Sequence, residues 1–184
     1  MRLPFLAVRT RSAGETVSLA RRIGGILRPG EILLLVGDLG TGKTTFVRGL
    51  ADGLGIPTRP RSPTFTVVHT YEGGAYPLVH VDLYRLDSST EVLSLGLEEL
   101  LDPPAVSVVE WGEKAAPIVG DDYLELDFSW EPEGAGASGE AGTDEIRNIR
   151  FLPVGRWQQR MGEISETVRA WASQTTPAPA EGTA

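Results

Sequence analysis

Apolar positions along this chain change period several times, and each change marks an element. Residues 5 to 10, "FLAVRT", read as a strand. Ser12 and Glu15 then have the spacing of a capping box, and Val17, Ala20, Ile23 and Leu27 recur at helical spacing before "RPGE" turns the chain. Residues 31 to 36, "EILLLV", are apolar without alternation, the pattern of a strand buried on both faces. From Lys43 a helix is predicted with Phe46, Val47, Leu50 and Leu54 inward, closed by Gly55 and Pro57.

Prolines then bracket a loop, "RPRSP", and "TFTVVHTY" is rich in strand formers. "LVHVD" (78 to 82) follows as a buried strand and its hairpin partner. Asp87 is positioned to cap a short helix through Leu95, and "LEELLDPP" makes a further helical turn stopped by proline. "AVSVVE" (105 to 110) is a third buried run, while "YLELDF" and "IRNIRFLPV" alternate as an antiparallel pair. Trp157, Met161, Ile164, Val168 and Trp171 give a last helix one apolar seam. These elements predict an α/β fold, a P-loop NTPase-like mixed sheet whose parallel core strands are extended by antiparallel strands and flanked by helices. One domain over 1–173 is expected, with a mobile acidic loop at 131–145 and a disordered tail at 174–184.

Composition narrows the chemistry. The net charge is -8 and no basic block occurs, which argues against tight direct binding of nucleic acid. No cysteine is present, so disulfides and thiolate zinc sites are excluded. The N-terminus is too interrupted for a signal peptide and no run reaches the length of a membrane span, so a cytoplasmic protein with no membrane partner is expected.

The strongest motif is "GDLGTGKTTF", which fits G-x-x-x-x-G-K-[ST] from Gly37 to Thr44 and sits between a predicted strand and a predicted helix. Its backbone through Gly37, Asp38, Leu39, Gly40, Thr41, Gly42 and on to Thr45 is expected to cradle phosphates, with Lys43 reaching the β- and γ-phosphates and the Thr44 hydroxyl on Mg²⁺. Lys43 is one of only two lysines, the other being Lys114, in a chain whose remaining basic residues are arginine. A compact ammonium fits between phosphates where a planar guanidinium is too wide.

Phosphoryl chemistry also needs a carboxylate at a neighbouring strand end, and Asp82 and Glu110 both end apolar runs. A division of labour explains two acids, one on the metal and one on a water. Thr64 in "RSPTFT" is placed to report the γ-phosphate, or belongs to an ordinary proline turn; Trp111 either stacks on a base or partner or is core. His80 reads as a core or supporting histidine. No guanine-reading N-K-x-D or T-K-x-D occurs, which favours ATP, and no arginine finger is evident near the loop. A small-molecule kinase remains the main competing class, and a nucleotide-dependent scaffold another.

The succession "GDLGTGKTTFVRGL", "SPTFTVVHTYEG", "HVDLYRL", "LGLEELL" and "VVEWGEK" resembles the bacterial tRNA threonylcarbamoyladenosine biosynthesis family TsaE (YjeE) over about residues 5 to 155. The resemblance implies a slow Mg²⁺-dependent ATPase that cycles a two-subunit threonylcarbamoyl transferase of the TsaB and TsaD type, which itself holds the tRNA. On matching motifs, it implies that Lys43 and Thr44 bind nucleotide and Mg²⁺, that Glu110 is the metal-associated acid and Asp82 a second essential acid. Thr64 and Thr66 then belong to a switch-like loop, and Trp111 is the family's tryptophan beside the acid. The 131–145 insertion and the extended C-terminal helix depart from the family pattern.

Overall fold

The continuous apolar run 32–36 forms the central strand of a seven-stranded sheet because neither of its faces meets water. In a computed structural model that describes residues 6–63, 66–86, 89–101, 104–130 and 146–175, the elements follow in order. They are β1 (Leu6–Thr10), α1 (Ala13–Gly24), β2 (Ile32–Val36), α2 (Lys43–Leu54), β3 (Val68–Tyr71), β4 (Leu78–Asp82), α3 (Ser89–Ser94) and α4 (Leu97–Leu101). Then come β5 (Val106–Glu110), a 3-10 turn (Gly112–Lys114), β6 (Leu124–Trp130), β7 (Arg147–Pro153) and α5 (Trp157–Thr175). The strand order is β1-β7-β6-β2-β5-β4-β3. β6, β2, β5 and β4 run parallel, while β7 and β1 on one side and β3 on the other add antiparallel edges.

Leu33 and Leu35 of β2 enter one core with α1, α2 and α5, whereas Leu34 enters a second core with residues of α3, α4 and the 3-10 turn region. Helices therefore cover both faces, as a parallel core requires. The predicted seam of α5 is buried at Trp157, Ile164, Val168 and Trp171, with Met161 partly buried. Among the described residues no helix is long and apolar enough to cross a membrane.

One buried face and two boundaries differ from the sequence expectation. On α1 the buried face is Thr16, Leu19, Ala20, Ile23 and Gly24, with Val17 only half-buried. There the buried hydroxyls of Thr10 and Thr16 bond each other at 2.8 Å, a polar tie between β1 and the inward face of α1. Strand β3 starts only at Val68, because Val67 is held in the left-handed region (φ 64) with its N–H on the Pro63 carbonyl at 2.7 Å. Finally, α5 continues through Gln174 and Thr175, into the segment expected as tail. Thr64, the Asp87 cap, the 131–145 loop and residues 176–184 lie outside the described residues.

The loop after β2 depends on Gly37. Its φ is 131, and a Cβ there would lie 2.2 Å from the Phe128 carbonyl of β6. Backbone cannot yield as a flexible side chain would, so Gly37→Ala is expected to destabilise the fold by about 3 kcal/mol or more, as a loss in denaturant midpoint.

Candidate functional site

The chain gives its two long N-terminal helices opposite beginnings. α1 opens on Ser12, whose hydroxyl accepts from the Glu15 N–H, and Glu15 accepts from the Arg11 N–H at 2.7 Å. α2 opens on Gly42 (φ 104), with no side-chain cap and no acid in its first turn. The first N–H groups of α2 and the positive end of its dipole are therefore left for an external anion. Thr41 is turned inward and braces the loop, its hydroxyl donating to the Asp38 carbonyl at 2.8 Å, while Leu39 is 70% exposed.

Lys43 is buried at the loop's centre. Its Nζ donates to the carbonyls of Gly37 (2.6 Å) and Asp38 (2.7 Å) and lies 4.4 Å from the centre of the Trp111 ring. Burial lowers its pKa, with Glu110, Glu113, Asp82 and Asp38 acting in the opposite sense. The ammonium is thus poorly solvated and surrounded by carboxylates, a setting in which phosphate oxygens are favourable partners.

Register brings the acids together. Asp82 and Glu110 are directly paired residues at the ends of β4 and β5, and Glu110 is also opposite Leu35 near the end of β2. The Thr44 hydroxyl donates to the Glu110 carboxylate at 2.8 and 2.9 Å. With its proton so directed, the hydroxyl oxygen keeps lone pairs for a cation. His80, fully buried on β4, places Nε2 2.9 Å from Glu110 Oε1.

Asp82 has different partners. It accepts from the Ser62 hydroxyl, and its Oδ1 accepts from the Tyr84 N–H at 3.0 Å. The strained Val67 ties this arrangement down, since its carbonyl accepts from the Asp82 N–H at 2.9 Å. A cleft of about 410 Å³ is lined by Leu39, Gly40, Gly42, Lys43, Thr44, Thr45, Arg48, Ser62, Asp82, Tyr84, Glu110 and Trp111.

Trp111 also has a left-handed backbone (φ 60). Both lysines of the chain lie over its ring, Lys114 at 5.7 Å, and the Tyr84 ring is 5.1 Å away. Lys114 in turn donates to the carbonyls of Leu83 (3.0 Å), Tyr84 (3.3 Å) and Leu86 (2.7 Å), holding the turn after β4.

The expected residues Leu39, Gly40, Gly42, Lys43, Thr44, Thr45, Asp82, Glu110 and Trp111 thus line one cleft, while Gly37, Asp38 and Thr41 bond within the loop. Sequence reasoning did not assign Ser62, Tyr84 or Arg48, although Ser62 stands in the proline loop already singled out. It read His80 as a core or supporting histidine without naming a partner, and the β4–β5 register sets it beside Glu110. That hydrogen bond fixes the rotamer of Glu110, so if the cleft hydrolyses a nucleoside triphosphate, His80→Ala is expected to lower kcat about tenfold and to move KM little. A parallel fall in ATP affinity, or unaltered kcat, would show His80 to be core filler only.

Comparison with known proteins identifies the family. The family model described as "Threonylcarbamoyl adenosine biosynthesis protein TsaE" matches residues 10–136. A Bacillus subtilis tRNA threonylcarbamoyladenosine biosynthesis protein TsaE is 37% identical over 158 residues, covering 85% of this chain and 92% of that one. The Streptomyces coelicolor protein of the same name is 41% identical over 143 residues, 76% of this chain and 91% of the other. A crystal structure of Bacillus subtilis YdiB superposes with TM-score 0.71 at 34% identity, covering 92% of this chain and 98% of that one. A family model spanning most of the chain, and relatives this similar over nearly their whole lengths, establish that the chain belongs to the TsaE family.

Proposed function

We propose that this chain is an Mg²⁺-dependent ATPase that serves the threonylcarbamoyladenosine modification of tRNA, the process named in its relatives' titles. ATP binding and hydrolysis here cycle a two-subunit threonylcarbamoyl transferase of the TsaB and TsaD type, and the tRNA is held by that partner, in keeping with the net charge of -8. The reading places the chain in the cytoplasm, where charged tRNA substrates are.

The observation that carries the ATPase reading is the Thr44–Glu110 hydrogen bond at the mouth of an uncapped helix. The donor set fits Mg²⁺: a hydroxyl and carboxylates, all hard oxygens, beside a loop whose N–H groups face the phosphate position. Thr44 and Glu110 would hold it, with Asp82 facing the same cleft. Mg²⁺ supplies charge neutralisation along the triphosphate and orients it.

The chain's own residues do the rest. N–H groups of the loop and α2 bind the phosphates, and Lys43 exchanges its loop carbonyls for β- and γ-phosphate oxygens. In hydrolysis a water oxygen bonds to the γ-phosphorus as the bond to the bridging oxygen of ADP breaks. The water's proton passes to a carboxylate or to the phosphate released. Glu110, committed to Thr44 and His80, fits the metal side; Asp82, held by Ser62 and the Tyr84 N–H, faces the same cleft and fits the water side. Trp111, with Lys43, Lys114 and the Tyr84 ring against it, links the acid strand to the turn held by Lys114.

Among the described residues the arginine lining this cleft is Arg48, whose Nε donates to the Pro60 carbonyl at 3.2 Å. Slow turnover alone and faster turnover with the transferase pair are therefore expected, measured as free phosphate released. Equal rates with and without the pair would count against coupling. Phosphate appearing instead on an added small metabolite would identify a kinase.

A further inference from the structure

The acids and Lys43 account for the phosphate end of a nucleotide but leave its base without a seat. β2 carries the loop, and its two neighbours divide the top of the sheet. Glu110 and Asp82 stand on the β5–β4 side, so the γ-phosphate end belongs there. A triphosphate laid along the loop and the start of α2 then delivers its nucleoside to the β6–β7 side. Trp111 and Tyr84 are on the wrong side to meet it.

On that side the strand ends bring together two residues that function has not yet used. Trp130, the last residue of β6, is directly paired with Arg147, the first of β7. Both alternate in phase with Phe128 and Ile149, which belong to the core under α2, so both stand on the α2 face of the sheet. Arg147 is 7% exposed and its guanidinium carbon lies 4.6 Å from the centre of the Trp130 ring. It also borders the loop: a Cβ on Gly42 would meet its Nε at 3.0 Å and its Cδ at 3.1 Å. Trp130 itself is 37% exposed.

We infer that Trp130, with one face backed by the Arg147 guanidinium, is the stacking platform for the purine base of the bound nucleotide. The geometry is that of a cation–indole pair, which orients a large aromatic plane, and Trp130 keeps 37% of its surface exposed. Base stacking on an aromatic ring is strong and tolerant of base identity. Arg147 acts as a positioning residue, holding the indole and closing the space beside Gly42. This inference rests on the nucleotide reading above.

The test is calorimetric titration of the full chain, with Mg²⁺, by ATP and separately by inorganic tripolyphosphate, which has the phosphates and no base. Trp130→Ala is expected to weaken ATP about tenfold or more while tripolyphosphate affinity stays within about twofold, and Trp130→Phe to keep most of the ATP affinity. Retained tripolyphosphate binding also reports that the variant's loop is folded. Unchanged ATP affinity in Trp130→Ala, or equal loss of both ligands, overturns the platform. A wild-type chain that binds neither ligand overturns the nucleotide reading itself, a result distinct from the other two.

Discussion

Lys43→Met is expected to reduce ATP affinity at least about a hundredfold and to abolish turnover, since each ammonium–phosphate hydrogen bond is worth about 1.5–3 kcal/mol. The informative part is that stability should not fall with it. Burial lowers the pKa of Lys43, so its charged form costs the folded chain free energy. A lowered folded-state pKa means that this cost is present below that pKa and is relieved as pH rises through it. Methionine fills a similar volume and removes the cost, and the Asp38 carbonyl retains the Thr41 hydroxyl as donor. In a thermal melt without nucleotide the variant is expected to unfold no lower than wild type. With Mg²⁺ and ATP, wild type should shift upward and the variant should not. A variant that melts well below wild type would assign Lys43 a structural role in place of the ligand-binding one.

Glu110→Gln separates chemistry from binding. The substitution keeps size and one acceptor oxygen for Thr44 but removes the charge onto which Thr44 donates and beside which His80 stands. The phosphate cradle is backbone and Lys43, neither of which it touches. Turnover is therefore expected to drop about 10²–10³-fold while ATP affinity changes by less than about fivefold. Single-turnover hydrolysis alongside direct ATP titration reads both. A fall in affinity as large as the fall in rate would place Glu110 in binding alone, and an unchanged rate would remove it from the mechanism.

Some of this site could be read from residue order because its chemistry is local. The loop needs glycine at Gly37 and Gly42, where the backbone takes left-handed angles and Phe128 or Arg147 stands in the way of a Cβ. Lysine follows at fixed spacing, so a short string carries the signal. Asp82 and Glu110 were visible for a similar reason, each being one acid at the end of an apolar run.

What escaped depends on register and loop path. β4 and β5 are buried at every position, so no alternation tells which way His80 points or that it reaches Glu110. The bond from Ser62 to Asp82 requires the turn that Val67 makes against its own preference, and a β-branched residue is a poor advertisement for a left-handed turn. The same turn explains why a strand-rich stretch yields a strand only from Val68. On α1 the polar Thr16, bonded to Thr10, lies on the buried face, which an apolar count overlooks. Trp130 and Arg147 are far apart in sequence, and only the β6–β7 pairing and the position of β6 beside β2 set them next to the loop.

The proposed role of ATP at Lys43, Thr44, Asp82 and Glu110 is to reset a tRNA-modifying partner. Its most direct test counts modified adenosines formed per transferase molecule, in a reaction with tRNA, activated threonylcarbamoyl donor, Mg²⁺ and ATP. With the wild-type chain many rounds per transferase are predicted, whereas omission of the chain or its replacement by Glu110→Gln should leave about one. Equal yield of modified tRNA over many rounds in all three reactions would contradict the account.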